Sequence, residues 1–424
     1  MVRKVKFVDL FAGIGGIRLG LEQAAKELDI KPECIFASEI DKNAVETYKL
    51  NFNENVYGDL RNIDSLPDHD LLLAGFPCQA FSYAGKKKGF ADTRGTLFFE
   101  IERLLINMRR KPQFIFLENV RGFTSHDKGR TCSTVLRKLA EIGYKTKLLV
   151  LNSSTFNVPQ NRVRVYILGV FQNELKLNIN SDLGSPDSHK FKKYVDQLNI
   201  FDDKIDKKKF VKDILEDKVN PKYYCSEIFV EQLNKAIKDS SIKSLDGVRL
   251  IDYRGGNSLH SWDLEIRGNV TKKEKEFMNC LIENRRKKKF GEFQDGKKLT
   301  KDQIKTFWKS DDLDLVIDSL VKKGYLKNFE NTFNPVAGNM SFEVFKFLDP
   351  NSISITIVSS DANRLGVVQN GIPRRITPRE CARIQGFPDK FRLNKIDAIS
   401  YKQIGNSVSV PVVKALLKEL LIKN

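Results

Sequence analysis

The sequence is poor in the residues that build metal sites and disulfide frameworks. Its 424 residues include six cysteines and four histidines, and no cysteines stand at the spacing of a zinc site. No apolar run approaches about 18 residues, and the polar start Val2–Lys6 does not resemble a secretory signal. The sequence therefore indicates neither a structural zinc site, a disulfide framework nor a membrane span, and we expect a reduced, cytoplasmic protein.

Acidic residues are scarce relative to basic ones. The chain has 72 Lys and Arg residues against 54 Asp and Glu, for a formal net charge of +18. This excess favours a polyanionic partner such as a nucleic acid, although a Lys-rich solvated surface has the same composition. Hydrophobic residues make up 41% of the chain, which is enough for a sizeable core. The length fits one large domain with a second domain or a large insertion.

A strand, a glycine turn and a helix open the chain. Lys6–Leu10 predicts the strand, Phe11–Gly16 the turn and Ile17–Leu28 the helix, which is the opening of a dinucleotide-type fold. A second predicted strand ends at Glu39, whose carboxylate can accept hydrogen bonds from ribose hydroxyls. Asp59, further on, is placed to accept a bond from an adenine amino group. Because the turn lacks the full pyrophosphate fingerprint, S-adenosylmethionine fits this order better than NAD.

A cysteine directly follows the third predicted strand. The apolar run Leu71–Ala74 predicts a buried strand, and Gly75 and Pro77 end it just before Cys78. Loops at the carboxyl ends of parallel strands carry the chemistry of open α/β sheets, so Cys78 is a candidate nucleophile. A buried structural cysteine is the alternative on position alone, and the polar and basic residues of 79–88 favour the nucleophile.

An acid and two arginines follow the next strands. Phe114–Leu117 predicts a strand that ends at Glu118, so we expect Glu118 to face the same crevice as Cys78. A surface salt bridge is the alternative for Glu118. Arg162 and Arg164 stand two apart at a strand start, so they should point to one side and suit phosphate or base recognition. A pair of solvated surface arginines is the alternative for them.

The middle of the chain, from about Gln172 to Asp349, is Lys-rich and lacks glycine-turn units. Three helices are predicted there, over Lys272–Arg286, Thr300–Trp308 and Leu313–Lys323. The C-terminal end of the last helix resembles that of a recognition helix that leads into the wing of a winged-helix domain. A winged-helix-like insert and a helical spacer with a solvated basic face both fit this pattern. Beyond it, the run from Ile353 to Ser359 predicts a strand.

These motifs, in this order, resemble those of the bacterial DNA (cytosine-5) methyltransferases of restriction-modification systems. The shared segments are FAGIGG, GFPCQAFS, RGTLFF, ENV, QNRVR, RRITPRECARIQGFPD and QIGNSV, within residues 7–170 and 372–411. The resemblance implies an α/β fold, a Rossmann-like S-adenosylmethionine-dependent methyltransferase sheet domain with a smaller target-recognition domain. We expect 1–171 plus 398–424 to form the catalytic domain and 172–397 the target-recognition domain, with a helical insert over 272–330.

The resemblance also implies a mechanism. Cys78 attacks C6 of a flipped-out cytosine, Glu118 binds N3, and Arg162 and Arg164 hold the base. C5 then takes the methyl group of S-adenosyl-L-methionine, which leaves S-adenosyl-L-homocysteine. Ser82, Lys86 and Arg94 are expected to contact DNA phosphates. The cofactor contacts carried over by position are Phe11, Ala12, Gly13, Ile14, Gly16, Glu39, Ile40, Asp59, Leu60, Pro77, Leu97, Asn406, Ser407 and Val408.

The expected partner is double-stranded DNA. We expect a monomer without membrane contact, and a cognate restriction endonuclease that acts on the same site without needing to bind this protein. One alternative is an RNA (tRNA) cytosine-5 methyltransferase, which the long middle segment disfavours. A DNA-binding regulator without activity is a second alternative, and the intact Cys78 and Glu118 speak against it. An amino-directed methyltransferase is a third, but that chemistry needs no cysteine nucleophile.

Overall fold

The computed structural model describes residues 3–77, 97–179, 208–291, 297–336 and 342–424. Its helices are α1 (Gly16–Glu27), α2 (Lys42–Phe52), α3 (Leu97–Asn107), α4 (Arg130–Ile142), α5 (Glu227–Lys238), α6 (Lys272–Asn284), α7 (Lys301–Lys305), α8 (Leu313–Lys322), α9 (Pro378–Ile384), α10 (Asp397–Asn406) and α11 (Val410–Lys423). Its strands are β1 (Arg3–Leu10), β2 (Ile30–Ser38), β3 (Leu71–Gly75), β4 (Phe114–Val120), β5 (Tyr144–Asn152), β6 (Val163–Phe171), β7 (Arg249–Leu250), β8 (Ser258–Leu259), β9 (Leu299–Thr300), β10 (Leu326–Phe329), β11 (Thr332–Pro335), β12 (Lys346–Phe347), β13 (Leu365–Gln369) and β14 (Ile372–Arg375).

The chain divides into two compact units. The first combines Met1–Ile214, Ile353–Ala362 and Pro378–Asn424, and the second combines Leu215–Ser352 and Asn363–Thr377.

The first unit is built on a six-stranded sheet of order β2-β1-β3-β4-β6-β5. Strands β2, β1, β3 and β4 pair in parallel, whereas β6 runs antiparallel to both of its neighbours. From β1 the chain passes to β2 on one side and to β3 on the other. The carboxyl ends of β1 and β3 therefore form the topological switch point, where α/β sheets of this kind bind their ligands. The glycine turn follows β1, and Cys78 comes three residues after the end of β3.

Both faces of this sheet are buried, which explains the continuous apolar run of β3. Leu71 and Leu73 pack in the core shared with α1 and α11, while Leu72 and Ala74 pack in the core shared with α3 and α4. Helix α11 packs against α1 so closely that a Cβ on Gly20 would lie 2.6 Å from a methyl carbon of Val413. The last helix of the chain thus completes the sheet unit, as the order of the motifs predicts.

The unit boundaries differ from the predicted ones at 171 and 398. Residues 378–397 belong to the first unit, because α9 and the residues after it pack against α10. Gln385, for example, donates from Nε2 to the carbonyl oxygen of Ile404 at 3.1 Å. The run from Ile353 to Ser359 lies in the same unit but forms only an isolated bridge at Ser354, so its prediction as a strand is wrong.

The second unit contains a five-stranded sheet of short strands, in the order β14-β13-β12-β7-β8. Its core is formed by apolar side chains of α5 and of these strands, such as Phe229, Leu233, Val248 and Phe347.

A smaller substructure, which we name the insert, spans 271–336, and its core around Phe277 and Ile317 also includes Trp262 from the segment before it. Its element order is α6, β9, α7, α8, β10, β11, and its sheet order is β10-β11-β9. Capping boxes at Thr271 and Thr300 begin α6 and α7. This is the topology of a winged helix, in which β10 and β11 form the wing.

Candidate active site

Two glycines shape the turn between β1 and α1. Gly13 and Gly15 have φ angles of +55° and +84°, in the left-handed region that favours glycine. The backbone N–H of Gly13 donates to Oε2 of Glu39 at 2.8 Å. A Cβ on Gly16 would lie 2.5 Å from Oγ of Ser407, so only glycine allows the C-terminal QIGNSV motif to lie against this turn. Two segments almost 400 residues apart in the sequence thus meet at the switch point.

Glu39 organises the end of β2. Its Oε1 accepts from the backbone N–H groups of Ile40 and Asp41, at 2.8 and 2.9 Å. A carboxylate has about four acceptor sites, so beside these two bonds and that from Gly13 about one site remains for a ligand. Ile40 beside it is 71% exposed, and the exposed Tyr57 stacks on Phe36 with ring centroids 4.6 Å apart. An acceptor flanked by open apolar surface suits the ribose and base of a nucleoside.

Asp59 lies at the start of a short 3₁₀ helix, Leu60–Asn62, which it caps through Arg61 N at 2.9 Å. The Arg61 guanidinium also pairs with the carboxylate, and this hydrogen bond holds the pKa of Asp59 below its usual range. Asp59 is therefore an ionised acceptor, as its predicted contact to an adenine amino group requires.

Glu118 lies where β4 passes the end of β3. Gly75 is its register partner on β3, and a Cβ on Gly75 would lie 3.8 Å from Oε2 of Glu118. The predicted neighbourhood of these two strand ends is confirmed. Cys78 itself, with Ser82, Lys86 and Arg94, lies outside the described residues.

Asn119 holds the segment that leads to Cys78. Its buried Nδ2 donates to the carbonyl oxygen of Phe76 at 3.1 Å, across the gap between β4 and β3. The sequence reasoning included Asn119 only as a letter of the ENV motif. Its position directly after Glu118, in a segment already assigned to the site, was the signal that pointed to it.

Arg164 pairs with Glu118 inside the unit. Nε of Arg164 lies 3.4 Å from Oε1 of Glu118, and both side chains are largely buried. Burial raises the pKa of Glu118, and the charge of Arg164 offsets part of that rise. The site therefore places a carboxyl group with a raised pKa, that of Glu118, beside the fixed guanidinium of Arg164.

Arg162 has different hydrogen-bond partners from Arg164. It is 3% exposed and donates to the carbonyl oxygens of Ile357 and Ser407, at 2.8 and 2.5 Å. Strand β6 begins only at Val163, so the alternation of strand side chains does not extend to Arg162. Burial lowers the pKa of Arg162 to about 10. Arg162 thus holds the segments around 357 and 407 in place. Its charge also lowers the pKa of Glu118 from a distance, without the close contact that Arg164 makes.

A chain of buried amides joins three of the motifs, and the sequence reasoning missed it. Gln160 of QNRVR donates from Nε2 to Oε1 of Gln385 at 3.1 Å and accepts at its own Oε1 from Ile357 N at 3.0 Å. Gln385 in turn donates to Ile404 O. Both glutamines are fully buried. Their position within two of the shared motifs was the only sign in the sequence that they have a role.

Asp9, near the end of β1, is a second group that the sequence reasoning missed. It is fully buried, accepts from the hydroxyl of Tyr48 at 3.2 Å, and has one oxygen without a partner among the described residues. Tyr48 in turn accepts from Arg18 at 3.1 Å. Burial raises the pKa of Asp9 to about 7, against the opposing charge of Arg18.

The five cysteines in the described part of the chain are free thiols whose pKa is raised by burial. The pKa of Cys34 rises to about 11 and that of Cys225 to about 12. The pKa values of Cys132, Cys280 and Cys381 are raised as well. Because the thiolate is the nucleophile, none of these five is activated.

The predicted cofactor residues of the first unit line the turn after β1, the ends of β2 and β3, and the α10–α11 junction. Ile40 and Asn406 are exposed, Glu39, Pro77, Leu97 and Ser407 are half-buried, and Leu60 and Val408 are buried. No side chain caps the N-terminus of α1, which leaves its N–H groups to a ligand or solvent. This set suits an adenosine group bound by acceptors and apolar surface.

The described residues offer neither a metal-binding cluster nor a helix of membrane-spanning length. No group of three or more His, Cys, Asp or Glu side chains is placed to hold a metal ion. No helix there is long and apolar enough to cross a membrane.

Comparisons with known proteins show the family of the chain. A family model described as C-5 cytosine-specific DNA methylase matches residues 5–421. The chain is 59% identical to the Type II methyltransferase M.BanI of Aneurinibacillus aneurinilyticus, over 99% of this chain and 96% of that protein. It is 60% identical to the Type II methyltransferase M.HgiCI of Herpetosiphon aurantiacus, over 98% and 97% of the two chains.

Among solved structures, the S. pombe Dnmt2 methyltransferase shares the fold, with a TM-score of 0.56, 18% identity and 98% of both chains covered. From the family match and the two relatives, the chain belongs to the C-5 cytosine-specific DNA methylase family and is a DNA cytosine-5 methyltransferase of the restriction-modification type.

Proposed function

We propose that this enzyme methylates C5 of a cytosine flipped out of duplex DNA, through a covalent bond between Cys78 and C6. A base stacked in a duplex does not expose C6 and N3 together to one protein pocket, so extrusion is required. The observation that carries the proposal is the buried Glu118–Arg164 pair, which lies at the strand end beside the one from which Cys78 follows. A guanidinium beside a carboxyl group is costly to bury, and a role in stabilising reaction charge explains the presence of this pair.

Cys78 is the proposed nucleophile. The other five cysteines are held as thiols by burial, whereas Cys78 follows a strand end at the switch point. A thiolate there adds to C6, and the electron pair of the C5–C6 double bond becomes available at C5. A sulfur atom is also a good leaving group, so the same bond can break after methyl transfer.

Glu118 and Arg164 are proposed to hold the base during this addition. The raised pKa of Glu118 favours the protonated carboxyl, which can donate to N3 of cytosine as negative charge develops on the ring. Arg164 is placed to donate to the base oxygen, and Arg162 to position the segments behind it. After C5 has accepted the methyl group, its proton leaves to a base, the sulfur–C6 bond breaks and the aromatic ring is restored.

S-adenosyl-L-methionine is the proposed cofactor, and it supplies an electrophilic methyl group when bound. Glu39 would accept from the ribose hydroxyls and Asp59 from the adenine amino group. The glycine turn and Ser407 would bring the backbone close to the methionine part. The remaining contacts are those predicted from the sequence: Phe11, Ala12, Ile14, Ile40, Leu60, Pro77, Leu97, Asn406 and Val408.

The wider role is also proposed. Ser82, Lys86 and Arg94 would contact DNA phosphates near the flipped base. The enzyme would act as a cytoplasmic monomer and protect host DNA from an endonuclease that cuts the same site. The recognised sequence would be read by the second unit.

Bisulfite sequencing of DNA from a host that expresses this chain tests the proposal. We expect the cytosines of one short sequence to resist bisulfite conversion. In a matched host that expresses Cys78→Ser, no cytosine of that sequence should resist it. Purified enzyme with methyl-labelled cofactor should label duplex DNA and not tRNA. Label in tRNA alone, or on an amino group instead of C5, would contradict the proposal.

A further inference from the structure

Two stretches of the insert differ in the sign of their charge. Residues 311–318 contain four aspartates and no basic residue, whereas residues 285–298 contain seven Lys or Arg and two acidic residues. In a helix-turn-helix protein the second helix enters the major groove, so its outward face meets a strongly negative environment. The distribution of charge therefore decides which side of the insert can approach DNA.

Helix α8, which stands in the recognition-helix position, has the wrong face for DNA. Its buried side contributes Val316, Ile317 and Leu320 to the core. Its outward side presents Leu315, which is 73% exposed, the exposed Asp318, and Asp314, whose side chain is 69% exposed and pairs with Lys301. Two carboxylates and a leucine on this face would meet phosphate with repulsion and unfavourable desolvation. The charge of this face therefore speaks against a DNA-reading role for α8.

A different side of the insert is basic, and we name it the basic edge: Arg286, Lys287, Lys288, Lys289 and Lys298. Its two sequence segments are held together by Lys297, whose Nζ donates to the carbonyl oxygens of Arg286 and Lys287 at 3.4 and 3.0 Å. Lys287, Lys288, Lys289 and Lys298 are exposed.

The wing joins the same edge. Nζ of Lys298 lies 3.9 Å from the ring centroid of Phe329, a residue of β10 that is 38% exposed. Arg285 also bridges the two parts, since its Nη2 donates to Lys297 O at 3.2 Å and to Asn334 Oδ1 at 2.5 Å. The end of α6, the start of β9 and the wing are therefore one fixed surface.

Three lysines elsewhere in the insert have acidic partners that the lysines of this edge do not share. Lys273, Lys301 and Lys323 form ion pairs with acidic partners. No ion pair of Lys288, Lys289 or Lys298 occurs among the residues that the structure describes, and Lys289 and Lys298 lie over aromatic rings instead. Ammonium groups held over aromatic rings are suited to phosphate oxygens.

We propose that the basic edge binds the phosphate backbone of duplex DNA without regard to sequence, while α8 stays away from the duplex. This inference rests on the proposed DNA substrate and adds to it a second contact surface, separate from target reading. Lysine is a point charge that follows a backbone rather than a base edge, so the contact supplies affinity and not specificity.

The test uses the full-length enzyme and two fluorescent 40-bp duplexes. One carries the target sequence that bisulfite sequencing identifies, and the other carries that sequence scrambled. Anisotropy titrations over a series of KCl concentrations give the slope of log K against log salt. Each lost phosphate contact should flatten that slope by about 0.9. The triple variant Lys288→Gln, Lys289→Gln, Lys298→Gln should therefore flatten it by about 2.7 on both duplexes.

The matched control is Lys238→Gln, Lys243→Gln, Lys272→Gln, which removes the same charge from exposed lysines of the second unit outside the basic edge. Its slope should change by less than about 0.9, the value of a single contact. A second variant, Leu315→Ser with Asp318→Asn, alters the outward face of α8 and should leave binding and target choice unchanged. Since all these side chains are exposed, melting temperatures should match the wild type.

An unchanged slope in the basic-edge triple would overturn the inference, as would a loss confined to the target duplex. Weaker binding by the α8 variant would also overturn it. These outcomes differ from a failure of the proposed function, because that failure would appear as the absence of methyl incorporation into DNA by the wild-type enzyme.

Discussion

Charge is used in opposite ways in the first unit and in the insert. Glu118 and Arg164 are largely buried and paired with each other, and Arg162 is bonded to backbone carbonyls. Lys288 and Lys298 are exposed to solvent. A buried charge acts at a fixed position in a low-dielectric medium. An exposed charge makes only a small contribution to the electrostatic potential around the protein, and salt screens that potential.

This difference predicts how each region responds to substitution. Removing one buried partner leaves the other uncompensated and should produce a large, local and salt-independent effect. Removing one exposed lysine should produce a small effect that weakens as salt rises. The substitutions below separate these behaviours, from the largest expected effect to the smallest.

Glu118→Gln should lower the rate of methyl transfer by about 10²–10³-fold. The amide can still bond to N3 but cannot deliver a proton as charge develops. Single-turnover assays measure the rate, and cofactor affinity from calorimetry should be nearly unchanged. The control is Glu141→Gln, at an exposed position of α4. A retained rate would show that Glu118 has no part in the addition.

Asp9→Asn should change how stability depends on pH. The pKa of Asp9 is raised from an ordinary 3.8 to about 7, so the folded protein keeps a proton that the unfolded chain loses. The contribution of Asp9 to stability is then fully present below pH ~4 and falls as pH rises from about 4 to about 7. The variant should lack this fall and be more stable at pH 8, by on the order of 2–3 kcal/mol.

Denaturant unfolding at pH 5 and pH 8 measures this difference. Arg18, Glu22, Glu39 and Tyr48 are the ionisable groups that act on Asp9, and they remain in the variant. Equal pH dependence in the two proteins would contradict the assignment of the raised pKa to Asp9.

Gln160→Leu should lower the free energy of unfolding by about 2 kcal/mol. The substitution leaves Ile357 N and Oε1 of Gln385 buried without these partners, and an orphaned buried group costs about 1–3 kcal/mol. Gln385→Leu should act similarly, and the double variant should cost less than the sum, because the shared bond is lost once. Additive losses would show that the two amides are independent.

Leu315→Ser should have the smallest effect, within about 0.5 kcal/mol on stability. Ile317→Ser on the opposite, buried side of α8 should cost several times more. Chemical denaturation of both variants tests whether the two faces of α8 differ as their burial indicates. Comparable losses would contradict the assigned faces.

The strand ends of the first unit could be predicted because local patterns define them. Apolar runs that stop at Gly75 and Glu118 give strands buried on both faces, and neighbouring parallel strands bring their ends together. The three helices of the insert were also predicted near their observed bounds, since apolar residues recur there at helical spacing.

Other features depend on contacts that no local pattern encodes. The alternation of side chains along β6 is the same whether the strand runs parallel or antiparallel to its neighbours, so it does not predict the direction. The partners of Arg162 come from segments almost 200 and 245 residues later. The Gln160–Gln385 bond likewise joins distant segments, so 378–397 was placed in the wrong unit from its sequence position. The charge of the outward face of α8 was present in the sequence, but its meaning depended on which residues are buried.

The most direct test of the account is the capture of the enzyme on DNA that carries 5-fluorocytosine at the methylated position. Fluorine cannot leave as a proton does, so the reaction should stop after methyl transfer with the enzyme still bonded to C6. We expect a complex that survives denaturation, requires S-adenosyl-L-methionine, and maps by peptide mass spectrometry to Cys78. Cys78→Ser should not form it. An adduct on any of the other five cysteines, or substantial turnover by Cys78→Ser, would contradict the proposed nucleophile and the mechanism built on it.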